Sequence, residues 1–224
     1  MTDRLPIAVL AGVVGWCLGW ASAWLTDWLQ TGDDKDAHEK PPDPVLPMRA
    51  LLIRDPFVQG ASALTWAAIA IFLPGGWLRW AEAGLLAVPL IQVAVTDFRT
   101  RYVYTVIAWI GLAMGLAFGW QVHGGEWWTS VAGAAGGFAA FGVLYVLGRV
   151  IYRGRVEPMA RGDITIAAMV GAGSAACTVQ ALFLGVLVGG LLAVGVLIVR
   201  RSRHEFMPYG PGLCLGGLAT LFWC

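Results

Sequence analysis

The chain has 224 residues, of which 58% are hydrophobic and 13% charged, whereas soluble domains carry roughly 25% charged residues. With a mean hydropathy of +0.70 it reads as an integral membrane protein and not as a soluble domain. The net charge of +1 gives no sign of a nucleic-acid partner, and the lipid bilayer is the expected surrounding.

A crossing of the hydrocarbon core needs about 20 largely apolar residues. The first such run covers residues 5–25. Ala21-Ser22-Ala23 resembles a signal cleavage site, but the run is long for a signal h-region, and Trp16 before Cys17 spoils a lipoprotein site. A retained span over 1–26 is expected. Trp16, Trp20, Trp24 and Trp28 recur every four residues, which places them on one helix face. Packing or lipid contact explains that stripe. Residues 27–58 read as a polar cytoplasmic linker, partly disordered, since Thr31-Gly32-Asp33-Asp34-Lys35-Asp36 leads into Pro41-Pro42-Asp43-Pro44.

Seven further apolar runs follow, at 60–77, 82–96, 103–122, 127–151, 164–176, 179–199 and 208–223. Pro89 should kink the second of these. The fold class is therefore all-α, a polytopic membrane bundle of about eight transmembrane helices. Charge supports that number. With the N-terminus outside, only Arg4 and Arg79 fall on the outer side, which leaves 13 of the 15 basic residues on the cytoplasmic side, as the positive-inside rule expects. Trp77, Trp80, Trp120, Trp127, Trp128 and Trp223 fall near the opposite interface, as an aromatic belt would. Glycines at Gly111/Gly115/Gly119, Gly133/Gly137, Gly185/Gly189 and Gly212/Gly216 have the spacing that lets membrane helices approach closely.

Cys17, Cys177, Cys214 and Cys224 form no C-x-x-C pair and lie in or at the end of apolar runs, so they read as small buried hydrophobes and not as a disulfide or zinc framework. His38, His123 and His204 occupy three separate polar segments. No metal and no cofactor is expected.

Two acids stand apart from the rest. Asp97 closes one span and Asp163 opens another two crossings later, so both sit at one depth on the cytoplasmic side. A carboxylate at the hydrocarbon boundary is costly and marks function by default. If the two meet they share one proton, and one can activate water while the other polarises a scissile carbonyl. Structural readings compete. Asp163 can serve as a helix N-cap, Asp97 can pair with Arg99 or Arg101, and Gly162 can be an ordinary turn glycine.

Asp97-Phe98-Arg99-Thr100-Arg101-Tyr102-Val103 is similar to the first catalytic segment of the type IV prepilin peptidases, an aspartate followed by basic residues and an Ile-Pro-like pair. Ala160-Arg161-Gly162-Asp163-Ile164-Thr165 resembles that family's Gly-x-Gly-Asp motif running into a span. Met207-Pro208-Tyr209-Gly210-Pro211-Gly212-Leu213 resembles its closing Pro-Phe-Gly-Pro-Phe-Leu segment. The resemblance runs from about residue 48 to the C-terminus. It implies that 59–224 is a membrane-embedded aspartic peptidase domain of a multi-pass inner-membrane protein. That domain would remove the short basic leader of prepilin-like or pseudopilin membrane proteins at the cytoplasmic face.

Under the resemblance Asp97 and Asp163 are the catalytic pair, supported by Gly162, Arg99, Arg101, Pro208, Gly210 and Pro211. Ala160 in place of the first motif glycine, and Val103-Tyr104 in place of Ile-Pro, depart from the family pattern. The first loop has no cysteine, so neither the zinc nor the methyltransferase activity of the bifunctional members is expected. Thr96 before the first aspartate and Pro208-Tyr209-Gly210-Pro211 near the end argue against a presenilin-like protease. A small ion- or proton-coupled transporter would want polar residues deeper in the spans. A non-catalytic assembly factor would have no use for both acids.

Overall fold

A computed structural model describes residues 4–33, 56–100, 105–151, 153, 160–200 and 209–224, and among these the chain is helical between short turns, with no strand. Eight α-helices fall within the described residues: α1 (Leu5–Asp33), α2 (Pro56–Phe72), α3 (Trp77–Thr100), α4 (Thr105–Val122), α5 (Trp127–Ile151), α6 (Arg161–Ser174), α7 (Thr178–Arg200) and α8 (Gly210–Trp223). Five stretches are long and apolar enough to cross a bilayer: Leu5–Leu25, Trp77–Phe98, Thr105–Val122, Trp127–Ile151 and Gly162–Gly195. Phe57–Phe72 and Gly210–Trp223 are shorter apolar helices. The fold is a helical membrane bundle.

The last long stretch is not one rod. A 3-10 turn, Ala175–Cys177, separates α6 from α7, with Ala175 at a positive φ of 46°. Another boundary differs from the hydropathy reading. The run at 60–77 is expected to end at Trp77, but α2 stops at Phe72 and Trp77 already begins α3. Pro74 and Gly75 explain the break: proline cannot continue the helix, and Gly75 sits at a φ of 134°, open only to glycine. Pro89 lies inside α3, which continues through it.

The chain divides into two compact units, Met1–Ile71 and Phe72–Cys224. In the first, α1 and α2 form an antiparallel pair. Gly15 and Gly19 of α1 lie against Ser62 and Gln59 of α2, so closely that a Cβ at Gly15 would stand 2.7 Å from the Ser62 carbonyl oxygen. The tryptophan stripe takes the other face, with Trp16, Trp20 and Trp24 exposed, as lipid contact requires. Trp28 and the linker residues 34–55 lie outside the described side chains.

In the second unit, small residues set the directions of the helices. Along α4, Gly111 meets Met169, while Gly115 and Gly119 meet Ala172 and Gly173, so α4 runs parallel to α6. Gly133 and Gly137 of α5 meet Gly171 and Ala167, the antiparallel order. Gly217 of α8 faces Val170, and Thr220 shares a 3.0 Å hydrogen bond with Ser174, so α8 is parallel to α6. Gly185 and Gly189 of α7 face Leu213 and Gly212 in antiparallel order. In α3, Arg79 Nε donates to the Val122 carbonyl at 2.8 Å, which makes α3 antiparallel to α4. The starts of α4, α6 and α8 therefore lie at one end of this unit with the finishes of α3, α5 and α7. Around it the core packs Leu90, Val93, Ile107, Phe141, Ile166 and Met169.

These contacts are backbone against backbone. A methyl group at Gly137 would run into the Ala167 carbonyl. Gly137→Ala is expected to destabilise the protein by about 1–3 kcal/mol, the ordinary cost of overpacking, measured as a lower thermal midpoint in detergent. Gly136 on the same helix faces open space, and Gly136→Ala serves as the neutral control.

The far end gathers Trp77 and Trp80 of α3, Trp120 of α4, Trp127 and Trp128 of α5 and Trp223 of α8, the grouping expected from the alternation of the spans. It also corrects two expectations about cysteine and histidine. Cys177 and Cys224 are joined as a disulfide, with Cα atoms 6.4 Å apart, rather than serving as separate buried hydrophobes. His123, in the turn after α4, lies beside that pair and not in isolation. Only Cys214 has the expected character, free and buried, since Cys17 is free and exposed.

Candidate active site

The site is assembled from three helix ends. The last turns of α3 carry Asp97, the first turn of α6 carries Asp163, and the first turn of α8 carries Gly210. Both carboxylates are buried, at 5% and 6% exposure. Few positions could be costlier for an acid, so their burial needs a compensating role. The two side chains are close enough for their charges to act on one another. Two ionised carboxylates in such a position repel, and one shared proton relieves this.

Asp163 is not the N-cap of its helix. That position belongs to Ala160, which makes no side-chain cap. Asp163 is the third helical residue and reaches back to the Ala160 backbone amide, the return half of a capping box. The local reading of this residue as a helix-terminal group is thus correct in kind and displaced by three positions. Ala160 has φ −71° and ψ 144°, an extended conformation open to any residue with a Cβ. Alanine in place of the first motif glycine therefore imposes no backbone strain.

Asp97 is held from the other side. The Gly210 backbone amide faces its carboxylate, while Oδ2 is buried without a hydrogen-bond partner among the described residues. A Cβ at Gly210 would collide with Asp97 Oδ2 and come within 3.1 Å of Asp97 Cγ and of Ile166 Cδ1. Glycine is thus required here by close approach and not by an unusual φ. Ile166 lies one turn beyond Asp163 on the same helix, so Gly210 wedges between the two acid-bearing helices. Pro211, one residue on, sits at the start of α8, where a missing N–H costs nothing.

Cys214 completes the arrangement, one turn below Gly210. Its thiol is fully buried and lies within electrostatic range of both carboxylates. Sequence reasoning missed it as a site residue, although the spacing Gly210/Cys214 on one helix face was there to be read. Of the other motif residues, Gly162 precedes Asp163 in the first turn of α6 and is half-buried. The Arg99 side chain, Arg101, Val103-Tyr104 and Pro208 lie outside the described residues.

Comparison with known proteins agrees with these motifs. Residues 84–198 match the sequence profile of the type IV leader peptidase family. Two curated relatives named prepilin leader peptidase/N-methyltransferase, from Burkholderia pseudomallei strains 1026b and K96243, are each 32% identical over 177 residues. The alignment covers 76% of this chain and 55% of each relative, so the chain spans about half the length of the curated relatives it matches. No solved structure matches it. The matched region runs through Asp97 and Asp163, and on this ground the chain belongs to the type IV leader peptidase family.

Proposed function

We propose that the chain is a membrane aspartic endopeptidase that removes the short basic leader from type IV prepilin-like proteins. The observation that carries this reading is the joint burial of Asp97 and Asp163 at one end of the bundle, closed over by the Gly210 backbone. One carboxylate takes a proton from water as the other, protonated, hydrogen-bonds the scissile carbonyl and later supplies the proton for the leaving amine. Membership of the family supports the substrate class. The distribution of basic residues supports a cytoplasmic position for the pair and an outer N-terminus. The first loop carries no cysteine, and on that reading the chain cleaves leaders without methylating the new N-terminus.

The test is co-expression with a prepilin-like substrate in cells lacking other leader peptidases. Wild type should convert the precursor, whereas Asp97→Ala and Asp163→Ala should accumulate it with unchanged membrane insertion. Conversion that persists in either variant would remove the aspartic mechanism. Failure of wild type to convert any precursor would turn attention to transport or assembly.

A further inference from the structure

Three ligand-bearing side chains converge at the end of the bundle opposite the aspartates. His123 lies in the turn after α4, Cys177 ends the 3-10 turn after α6, and Cys224 follows the last turn of α8. One ring nitrogen of His123 and the two Sγ atoms all lie within 4.8 Å of one another. Both ring nitrogens are buried and have no hydrogen-bond partner among the described residues; the Gly173 backbone faces the ring without closing a bond to it. The His123 side chain is half-buried as a whole, but two shielded ring nitrogens with no hydrogen bond call for a partner. Its neighbours are the Arg79 guanidinium, within electrostatic range, and two sulfurs, joined in this structure as a disulfide.

We propose that His123, Cys177 and Cys224 form a redox-gated binding site for a thiophilic metal ion, Zn2+ or Cu+. In the oxidised chain the S–S bond occupies both sulfurs and the site is shut. A dithiol reductant opens it: two electrons and two protons pass to the Cys177–Cys224 bond, giving two thiols, and the reductant becomes a cyclic disulfide. Metal binding then forms two metal–sulfur bonds and one metal–nitrogen bond and releases the two thiol protons.

The geometry fits. Zinc bonds of about 2.3 Å to sulfur and about 2.0 Å to nitrogen hold tetrahedral ligand atoms roughly 3.5–3.8 Å apart. Ligand atoms already within 4.8 Å reach that spacing by side-chain rotation once the S–S bond is open. Two thiolates with one imidazole select zinc or cuprous copper over magnesium or calcium. Three protein ligands leave a fourth position for water, while Cu+ is content with three. The three ligands come from the ends of α4, α6 and α8, so the metal replaces the disulfide as the tie among them.

Metal retention by the purified full-length chain tests this, in a Cys17→Ser background that removes the exposed free thiol. After dithiol reduction and desalting, the chain should retain about one equivalent of Zn2+ or Cu+, against background for the oxidised chain. Cys177→Ser and Cys224→Ser should lose the bound metal, and His123→Ala should bind at least about tenfold more weakly. A second measurement needs no variant at these positions. Zn2+ should shield Cys177 and Cys224 from alkylation in the reduced chain, and Co2+ should show thiolate charge-transfer absorption only after reduction. The proposal is overturned if the reduced chain retains no more metal than the oxidised one. Unprotected thiols, or equal retention in the two serine variants, would overturn it as well.

Discussion

Asp97→Asn, Asp163→Asn and the double variant are expected to be equally inactive, each falling by at least about 10²–10⁴-fold in leader cleavage. Asparagine keeps the shape of the side chain and removes its ability to take or share a proton. In the proposed mechanism the two carboxylates divide one proton between base and acid roles, so either loss disables the whole step and the second substitution has nothing left to remove. A purely structural role predicts a different pattern. Asn at each position would then cost stability, the costs would add, and cleavage would fall only as far as folding fell. Single-turnover cleavage rates of the three variants, set beside their thermal midpoints, separate the two outcomes. Additive partial losses would sink the shared-proton mechanism.

Gly210→Ala should reproduce much of that loss without touching either acid. The added methyl group would collide with Asp97 Oδ2 and crowd Ile166 Cδ1, so the Asp97 carboxylate must move. A displacement of about 1 Å in a reacting group can cost roughly 10²-fold in rate. The expected result is a fall of that size in kcat with KM little changed, since the clash falls on Asp97. In the Asp97→Asn background the same substitution should cost nothing further in rate, because the group it displaces no longer works. Activity of Gly210→Ala within a few-fold of wild type would show that the α8 segment only packs.

The placement of the pair was legible because parity does not depend on helix ends. Two crossings separate Asp97 from Asp163, and any reading that keeps both returns them to one side. The nearness of the acids and the wedge of Gly210 were not legible in the same way. They arise from contacts between α3, α6 and α8, segments far apart in sequence, and no local pattern encodes such contacts. Hydropathy misjudged the end of α2 because Trp77 is apolar enough to extend the run, although Pro74-Gly75-Gly76 spelled the break. The same apolar surroundings disguised Cys177 and Cys224. Their flanking residues match those of an inert buried thiol, and only the parallel course of α6 and α8 brings the two ends together across 47 positions.

The two helices that start beside the aspartates are also short. α6 and α8 have 14 residues each, about 21 Å of helix, against a hydrocarbon core of about 30 Å. Cys177 and Cys224 join their far ends, so both shortfalls fall in register at the same place in the membrane. Hydrophobic mismatch of this kind is relieved by local thinning of the bilayer. A dimple over Asp97, Asp163 and Gly210 would bring bulk water down to carboxylates that a bilayer of full thickness would cover. On the proposed peptidase reading, acyl-chain length then becomes a control on hydrolysis, through the depth at which a polar reaction must run inside an oily layer.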